Sequence, residues 1–359
     1  MGRYLAQMNF EKELKKRIRE IIFLAKKNKK LSGFIIGNTS KSYSYKKFYF
    51  TPIRSTEKMI LSGIITYSEN YAKVASKYLD GKINYVLVDS EKKLPPKKNG
   101  NPSNIERRVK ENLKKTKLWS FKGNDLTVDA VDILLTFLMK KDLRGIGGKN
   151  IAVIGAGNIG AKISLLMVER GAKVFLTRNN FYKLKKITET LNSIKPIYTK
   201  EKIIAVKSNI SAIRTADIII GATNGQPVLS KEVLFKLKKK PIILDVGKGT
   251  LFKGALSYAI SKELNVYRID ISAALNGFIN KSLMIEKMKP EQLGRRKILG
   301  ETIVSGGLLG DYENLIVDNL RKPKFIYGMS DGYGDFIRNQ TSQQKKKILK
   351  IKKFFKIKF

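Results

Sequence analysis

Gly155, Gly157 and Gly160 stand in G-x-G-x-x-G spacing after the apolar run Ile151–Ile154 and ahead of a helix-period run through Ile159, Ile163, Leu166 and Met167. A second apolar run, Val174–Leu176, follows beyond Gly171. That order predicts strand, turn, helix and strand, and it gives each glycine its own physical task. The first permits a tight turn, the second lets the backbone approach a pyrophosphate, and the third lets the helix pack close to the strand. The helix start then offers unpaired N–H groups and the positive end of its dipole to the phosphates. The chemistry this predicts is dinucleotide binding by Gly155, Ala156, Gly157, Asn158, Ile159 and Gly160. The competing reading is a turn of the same shape that binds nothing.

The end of the second run selects between dinucleotides. A site for NAD usually places a carboxylate there for the ribose 2′-hydroxyl, whereas a site for NADP supplies a cation for the 2′-phosphate. This chain has Thr177, Arg178, Asn179 and Asn180. NADP(H) is therefore expected over NAD(H), with Thr177, Arg178 and Asn179 at the phosphate and the Arg178 guanidinium as a permanently charged fork. Two further strand ends are candidate contacts for the ribose or nicotinamide. Ile218–Gly221 runs into Ala222, Thr223 and Asn224, and Ile242–Asp245 runs into Val246 and Gly247. Asp270 to Ser272, after a third run, reads more simply as a turn.

Composition removes whole classes of mechanism. The 359 residues include no cysteine and no histidine. Thiolate nucleophiles, Ser-His-Asp triads and imidazole-ligated metals are excluded, and no metal site is expected, so proton transfer falls to Lys, Asp, Glu, Tyr or water. The N-terminus has no signal-peptide pattern and no apolar span has membrane length, which predicts a soluble, cytoplasmic protein. The net charge of +42 is spread along the chain and reads as a preference for lysine. Its local exception is the C-terminus, where lysines from Lys345 to Lys358 alternate with Ile348, Ile351, Phe354 and Phe359. Such a tail could meet nucleic acid or an anionic membrane, and a solvated or packed tail is the equal alternative. A small-molecule substrate is the favoured partner, and a homodimer is compatible with the sequence.

The elements that must position these residues are predicted from periodicity. An amphipathic helix behind Asn9 opens the chain, followed by short strands at Phe34–Ile36, Phe48–Phe50 and Asn84–Val88 and a helix at Tyr71–Leu79. Leu94–Pro102 reads as a loop, then come helices at about Asn104–Lys115 and Thr127–Met139 and a glycine-rich hinge at Gly145–Gly148. Beyond it strands and helices alternate to Ile269, the pattern of a parallel, doubly wound sheet with ligands at the carboxyl ends of its strands. The expected fold class is α/β. An N-terminal α/β substrate domain (1–144) precedes a Rossmann domain (145–280), a segment returning to the first domain or the cleft (281–340) and a basic tail (341–359).

This layout resembles the two-domain group that includes shikimate dehydrogenase and methylenetetrahydrofolate dehydrogenase. Gly123–Val131 is similar to the polar motif that opens their bridging helix, Thr177–Arg178 to their NADP-selecting Asn-Arg-Thr, Ala216–Thr223 to their strand leading to the nicotinamide, and Ile243–Gly247 to the Ile-Asp-Val-Gly of the folate enzymes. The folate family's Ser-x-x-Tyr-x-x-x-Lys is half present: Ser68 and Tyr71 fit, but the lysine position is Ala75, flanked by Lys73 and Lys77. The resemblance implies hydride transfer with NADP(H) and names no substrate. A lysine beside a carboxylate would then do the work of the missing histidine. Lys77 is the candidate lysine, with Lys73 as substitute, and Asp125 or Asp129 is the candidate carboxylate; helix capping is the plainer role for the aspartates. A non-catalytic NADP-binding sensor or scaffold, tied to nucleic acid or membrane by its lysines, is the second hypothesis.

Overall fold

The computed structural model describes residues 2–39, 48–97, 100–287 and 293–357, with side chains from Met8 onward. Part of the expected loop, at 98–99, and the tail residues Lys358 and Phe359 lie outside the described residues. The chain divides into two compact units, Met1–Ile279 and Asn280–Phe359.

The first unit holds two sheets. The N-terminal sheet contains β1 (Leu31–Asn38), β2 (Phe48–Phe50), β3 (Arg54–Ser55), β4 (Met59–Thr66), β5 (Tyr85–Asp89) and β6 (Lys117–Phe121), in the order β2-β4-β1-β5-β6 with β3 also on β4. Strands β4, β1, β5 and β6 are parallel, so Thr66, Asn38, Asp89 and Phe121 end together at one edge. Alternate residues of these strands, including Phe34, Ile36, Ile64, Val86 and Val88, share a core with α1 (Gly2–Lys27), α2 (Glu69–Leu79) and α3 (Ile105–Lys110). This is the period-2 signature of a sheet face against helices. Helix α1 begins well ahead of Asn9, the expected cap, and Phe10, Leu14, Ile18 and Ile21 form its buried stripe.

Helix α4 (Gly123–Leu138) leads to the second sheet, starting four residues before the periodicity at Thr127 predicts. The second sheet contains β7 (Asn150–Ile154), β8 (Lys173–Thr177), β9 (Ile203–Val206), β10 (Ile218–Gly221), β11 (Ile242–Asp245) and β12 (Val266–Arg268), with order β12-β11-β10-β7-β8-β9 and every pairing parallel. Numbered within the domain this is 3-2-1-4-5-6, the doubly wound dinucleotide-binding topology. Both faces are covered: Ile151, Val153, Ile218 and Ile220 share a core with α4 and with α5 (Asn158–Glu169) and α6 (Phe181–Ile194), while Ala152, Ile154 and Ile219 face α7 (Asn209–Ile213), α8 (Lys231–Phe235) and α9 (Ala255–Ser261). A strand buried on both faces reads as a continuous apolar run, which is why these strands are legible in the sequence. Helix α10 (Ser272–Lys287) follows, and its Phe278 meets Trp119 and Phe121 of β6.

The second unit is a four-stranded sheet of β13 (Gly294–Ile298), β14 (Glu301–Ser305), β15 (Leu315–Val317) and β16 (Ile326–Met329) with α11 (Ser342–Phe355). Where the sequence reading sets residues 341–359 apart as a tail, Thr341 and Gln344 form a capping box and Ile351 is buried with Ile298, Ile303, Leu315 and Met329. Among the described residues no helix is long and apolar enough to cross a membrane.

Candidate active site

The turn from β7 into α5 shows why glycine occupies each of its three positions. Gly155 has φ +108°, a conformation that disfavours side chains, and a Cβ there would lie 2.5 Å from the Ala222 carbonyl oxygen. At Gly160 a Cβ would lie 1.9 Å from the Gly155 carbonyl oxygen, so helix and turn are in contact there. At Gly157 a Cβ would meet nothing within 4 Å. That position is open and lies at the N-cap of α5, beside the helix's first N–H groups. The turn is stitched to the neighbouring strand, since Gly155 N and Ala156 N donate to the Thr177 carbonyl at 3.1 and 3.0 Å.

The residues expected at the cofactor separate by role. Arg178 is half-buried and its Nη1 donates to the Ala156 carbonyl, which brings the guanidinium from the end of β8 onto the glycine turn. Ala156 has its side chain in the core and offers the site only its backbone, and Ile159 packs against the same core. Thr177 is 2% exposed and its hydroxyl donates to Asn209 Oδ1 at 2.8 Å. Its side chain is thus committed to the fold. Asn179 is exposed, and Asn180 caps α6 by accepting from Lys183 N at 2.8 Å.

The loops after β10 and β11 lie against each other. A Cβ on Gly247 would stand 3.0–3.3 Å from the backbone nitrogens of Thr223, Asn224 and Gly225. Asp245 shapes the second loop, accepting from Gly249 N at 2.9 Å and from the Thr250 hydroxyl at 2.7 Å. Thr223 turns its hydroxyl to the Gln226 carbonyl at 2.6 Å. Ala222, Thr223, Asn224, Val246 and Gly247 therefore line the end of the sheet next to the glycine turn mainly as backbone.

The expected catalytic residues are not brought together. Lys77 is exposed on α2 in a groove lined by Glu11, Leu14 and Lys15 of α1 and by Val74, Tyr78 and Lys82. No residue of the glycine turn contributes to that groove. Asp125 pairs with Lys122 at 2.7 Å and with Lys162 of α5. Burial raises its pKa, but Lys122 and Lys162 outweigh this and hold the carboxyl below its ordinary value. It thus ties α4 to α5. Asp129 is exposed one turn further along α4.

A different lysine sits between carboxylates at the edge where the parallel strands of the first sheet end. Lys93 Nζ is 2.8 Å from Asp89 Oδ2 and 2.8 Å from Glu91 Oε2, and Asp89 is only 3% exposed. Asp89 Oδ1 also accepts from Gly123 N at 3.2 Å, and Glu91 Oε2 accepts from Asn124 N at 2.9 Å. Two carboxylates distant in sequence therefore serve as the N-terminal cap of α4, which explains its early start. Asn124 Nδ2 then donates to Asn158 Oδ1 at 3.1 Å, so this cluster reaches the glycine turn through one side chain. The signal in the sequence was the apolar strand YVLV running directly into Asp89-Ser90-Glu91-Lys92-Lys93.

Comparison with known proteins places the same domain. Residues 150–249 match the family model described as NADP oxidoreductase coenzyme F420-dependent. Among curated proteins, a glutamyl-tRNA reductase of Thermosipho melanesiensis is 30% identical over 101 residues, which is 28% of this chain and 26% of that protein. One from Methanocaldococcus jannaschii is 33% identical over 104 residues, 28% of this chain and 24% of that protein. The chain thus spans about a quarter of the length of the curated relatives it matches. Among solved structures, a dipicolinate synthase chain from Bacillus halodurans is 14% identical, covering 72% of this chain and 97% of that chain with a TM-score of 0.37. L-tryptophan dehydrogenase from Nostoc punctiforme is 10% identical, covering 71% and 75%, with a TM-score of 0.41. The family match, the strand order and the three glycine environments agree on a Rossmann domain of the pyridine-nucleotide-binding type.

Proposed function

We propose that the protein is an NADP(H)-dependent oxidoreductase that transfers hydride to or from a small polar substrate held over the carboxyl ends of β1, β4 and β5. The pyrophosphate lies against Gly157 and the start of α5, the adenosine ribose runs toward the end of β8, and the nicotinamide lies by the loops at 222–226 and 246–250. The nucleotide supplies the hydride; the chain binds, orients and shields. Lys93, Asp89 and Glu91 are the positioning cluster, fixing the start of α4 and through Asn124 the start of α5. From the resemblance to the shikimate and folate dehydrogenases we retain the two-domain plan and neither substrate.

The observation that carries this reading is the Arg178 guanidinium held on the Ala156 carbonyl beside the open Gly157 position. A permanent cation at the end of β8 supports NADP(H), since a 2′-phosphate takes such a partner and a 2′-hydroxyl needs none. Calorimetric titration with NADPH and NADH, repeated on Arg178→Asp, tests it. Charge-assisted hydrogen bonds are worth about 1.5–3 kcal/mol, so NADPH affinity falls roughly 10- to 100-fold while NADH affinity changes little. Equal losses for both nucleotides, or no binding of either by the wild-type protein, refute the reading.

A further inference from the structure

The loops that follow β10 and β11 share a backbone feature as well as their contact. Each holds a non-glycine residue at positive φ directly ahead of a glycine that is also there: Asn224 at +56° before Gly225 at +79°, and Lys248 at +57° before Gly249 at +117°. Asparagine visits the left-handed region readily because its short amide bonds locally, and lysine has no such compensation. Glycine would occupy position 248 without strain, so what the position retains is the lysine side chain. An outlier of this kind points to a use for the residue.

Both flanks of Lys248 are pinned. Gly247 N donates to the Gly221 carbonyl at 2.9 Å, and Gly249 N and Thr250 N donate to the Asp245 carboxylate at 2.9 and 3.2 Å. The loop therefore fixes where the side chain leaves the backbone. Lys248 is exposed, and its ammonium lies 5.8 Å from the ring centroid of Tyr49. Tyr49 belongs to β2 and pairs with Ile65, one residue before the carboxyl end of β4. One ammonium thus reaches from the carboxyl edge of the second sheet to that of the first, and the quadrupole of the ring sets its direction.

We propose that Lys248 recognises the substrate through an oxyanion, a carboxylate or a phosphate, at the opening between the two carboxyl edges. This inference rests on the hydride-transfer reading above, which lays the nicotinamide by the same loop. An ammonium is a compact charge with three donors on a flexible stem, and it serves either group. The stem starts beside the nicotinamide and ends beside the first sheet, so an oxyanion held there brings the rest of the substrate to the ring that exchanges hydride.

The test uses the full chain saturated with NADP⁺, so that the pyrophosphate site is filled, titrated calorimetrically with malonate and with inorganic phosphate. The wild-type protein binds at least one of them, and the tighter of the two names the group. Lys248→Met and Lys248→Gly weaken that binding roughly tenfold or more, the worth of one charge-assisted hydrogen bond. Lys248→Arg restores it to within about threefold, and NADP⁺ affinity stays within about twofold in every variant. Lys248→Gly also unfolds at a denaturant concentration no lower than the wild-type protein, because it removes the left-handed strain. Failure of both anions to bind, or equal binding by Lys248→Met, overturns the inference and leaves the oxidoreductase reading standing. A destabilised Lys248→Gly overturns it too, by assigning the lysine to packing. A protein that does not take up NADP⁺ removes that reading and this inference together.

Discussion

The three glycines of the turn make opposite demands that substitution separates. A methyl at Gly160 would have to occupy space 1.9 Å from the Gly155 carbonyl oxygen, so Gly160→Ala forces helix and turn apart. Overpacking of this kind costs about 1–3 kcal/mol, and chemical denaturation should show a lowered midpoint for Gly160→Ala with or without nucleotide. A methyl at Gly157 meets nothing within 4 Å, so Gly157→Ala should fold with wild-type stability yet bind NADPH at least tenfold more weakly. A Gly157→Ala protein with unchanged affinity would mean that the pyrophosphate does not approach there. The spacing of these glycines was legible because it reports local backbone needs. The contact of Lys248 with Tyr49 was not, since it joins two sheets through residues far apart in the chain.

Among the helices and strands, the readings that missed did so where a distant side chain overrides local preference. The sequence ERRVKENLKK carries helix-forming residues as far as Lys115, but α3 stops at Lys110. Asp80 accepts the backbone N–H groups of Lys114, Lys115 and Thr116 at 2.8–3.0 Å and draws the chain out of the helix. Those bonds, that to Thr116 foremost, hold the Asp80 carboxyl below its ordinary pKa. The released chain forms β6, a strand whose five residues show no alternation strong enough to announce it and whose register comes from β5. Glu106 locks α3 to β6. Its hydrogen bond from Ser120 and those from Lys110 and Lys92 lower the carboxyl pKa from 4.5 to about 2, against the opposing effect of burial. A depressed carboxyl pKa adds stability that is complete above the unfolded value and disappears as pH falls through the folded one. Acid unfolding between pH 4.5 and about 2 should therefore be less steep in Glu106→Gln than in the wild-type protein, and identical slopes would show that this cluster does not couple α3 to β6.

Of the two units, the first carries the Rossmann domain, and the second builds a separate core in which the lysine-rich C-terminus takes part. The alternation of lysine with Ile348, Ile351 and Phe355 is the stripe of a helix: Ile351 is fully buried, whereas Lys345, Lys346, Lys352 and Lys353 are mostly turned outward. The core this stripe packs on was not legible, because the partner strands β13 to β16 carry weak signals of their own. Ile351→Ala should cost about 2–5 kcal/mol in the second unit, as large-to-small changes in a closed core do. Thermal unfolding would show it as a lowered transition, and an unchanged transition would place α11 outside the core.

The proposed chemistry requires that NADP(H) lie across the carboxyl edge of the second sheet against the glycine turn. Amide hydrogen exchange of the full chain with and without NADPH is the decisive experiment. Residues 155–160, 177–180, 222–226 and 246–250 should gain protection together, and the groove around Lys77 should not change. Protection confined to other segments, or none at saturating nucleotide, would contradict that placement and the oxidoreductase reading with it.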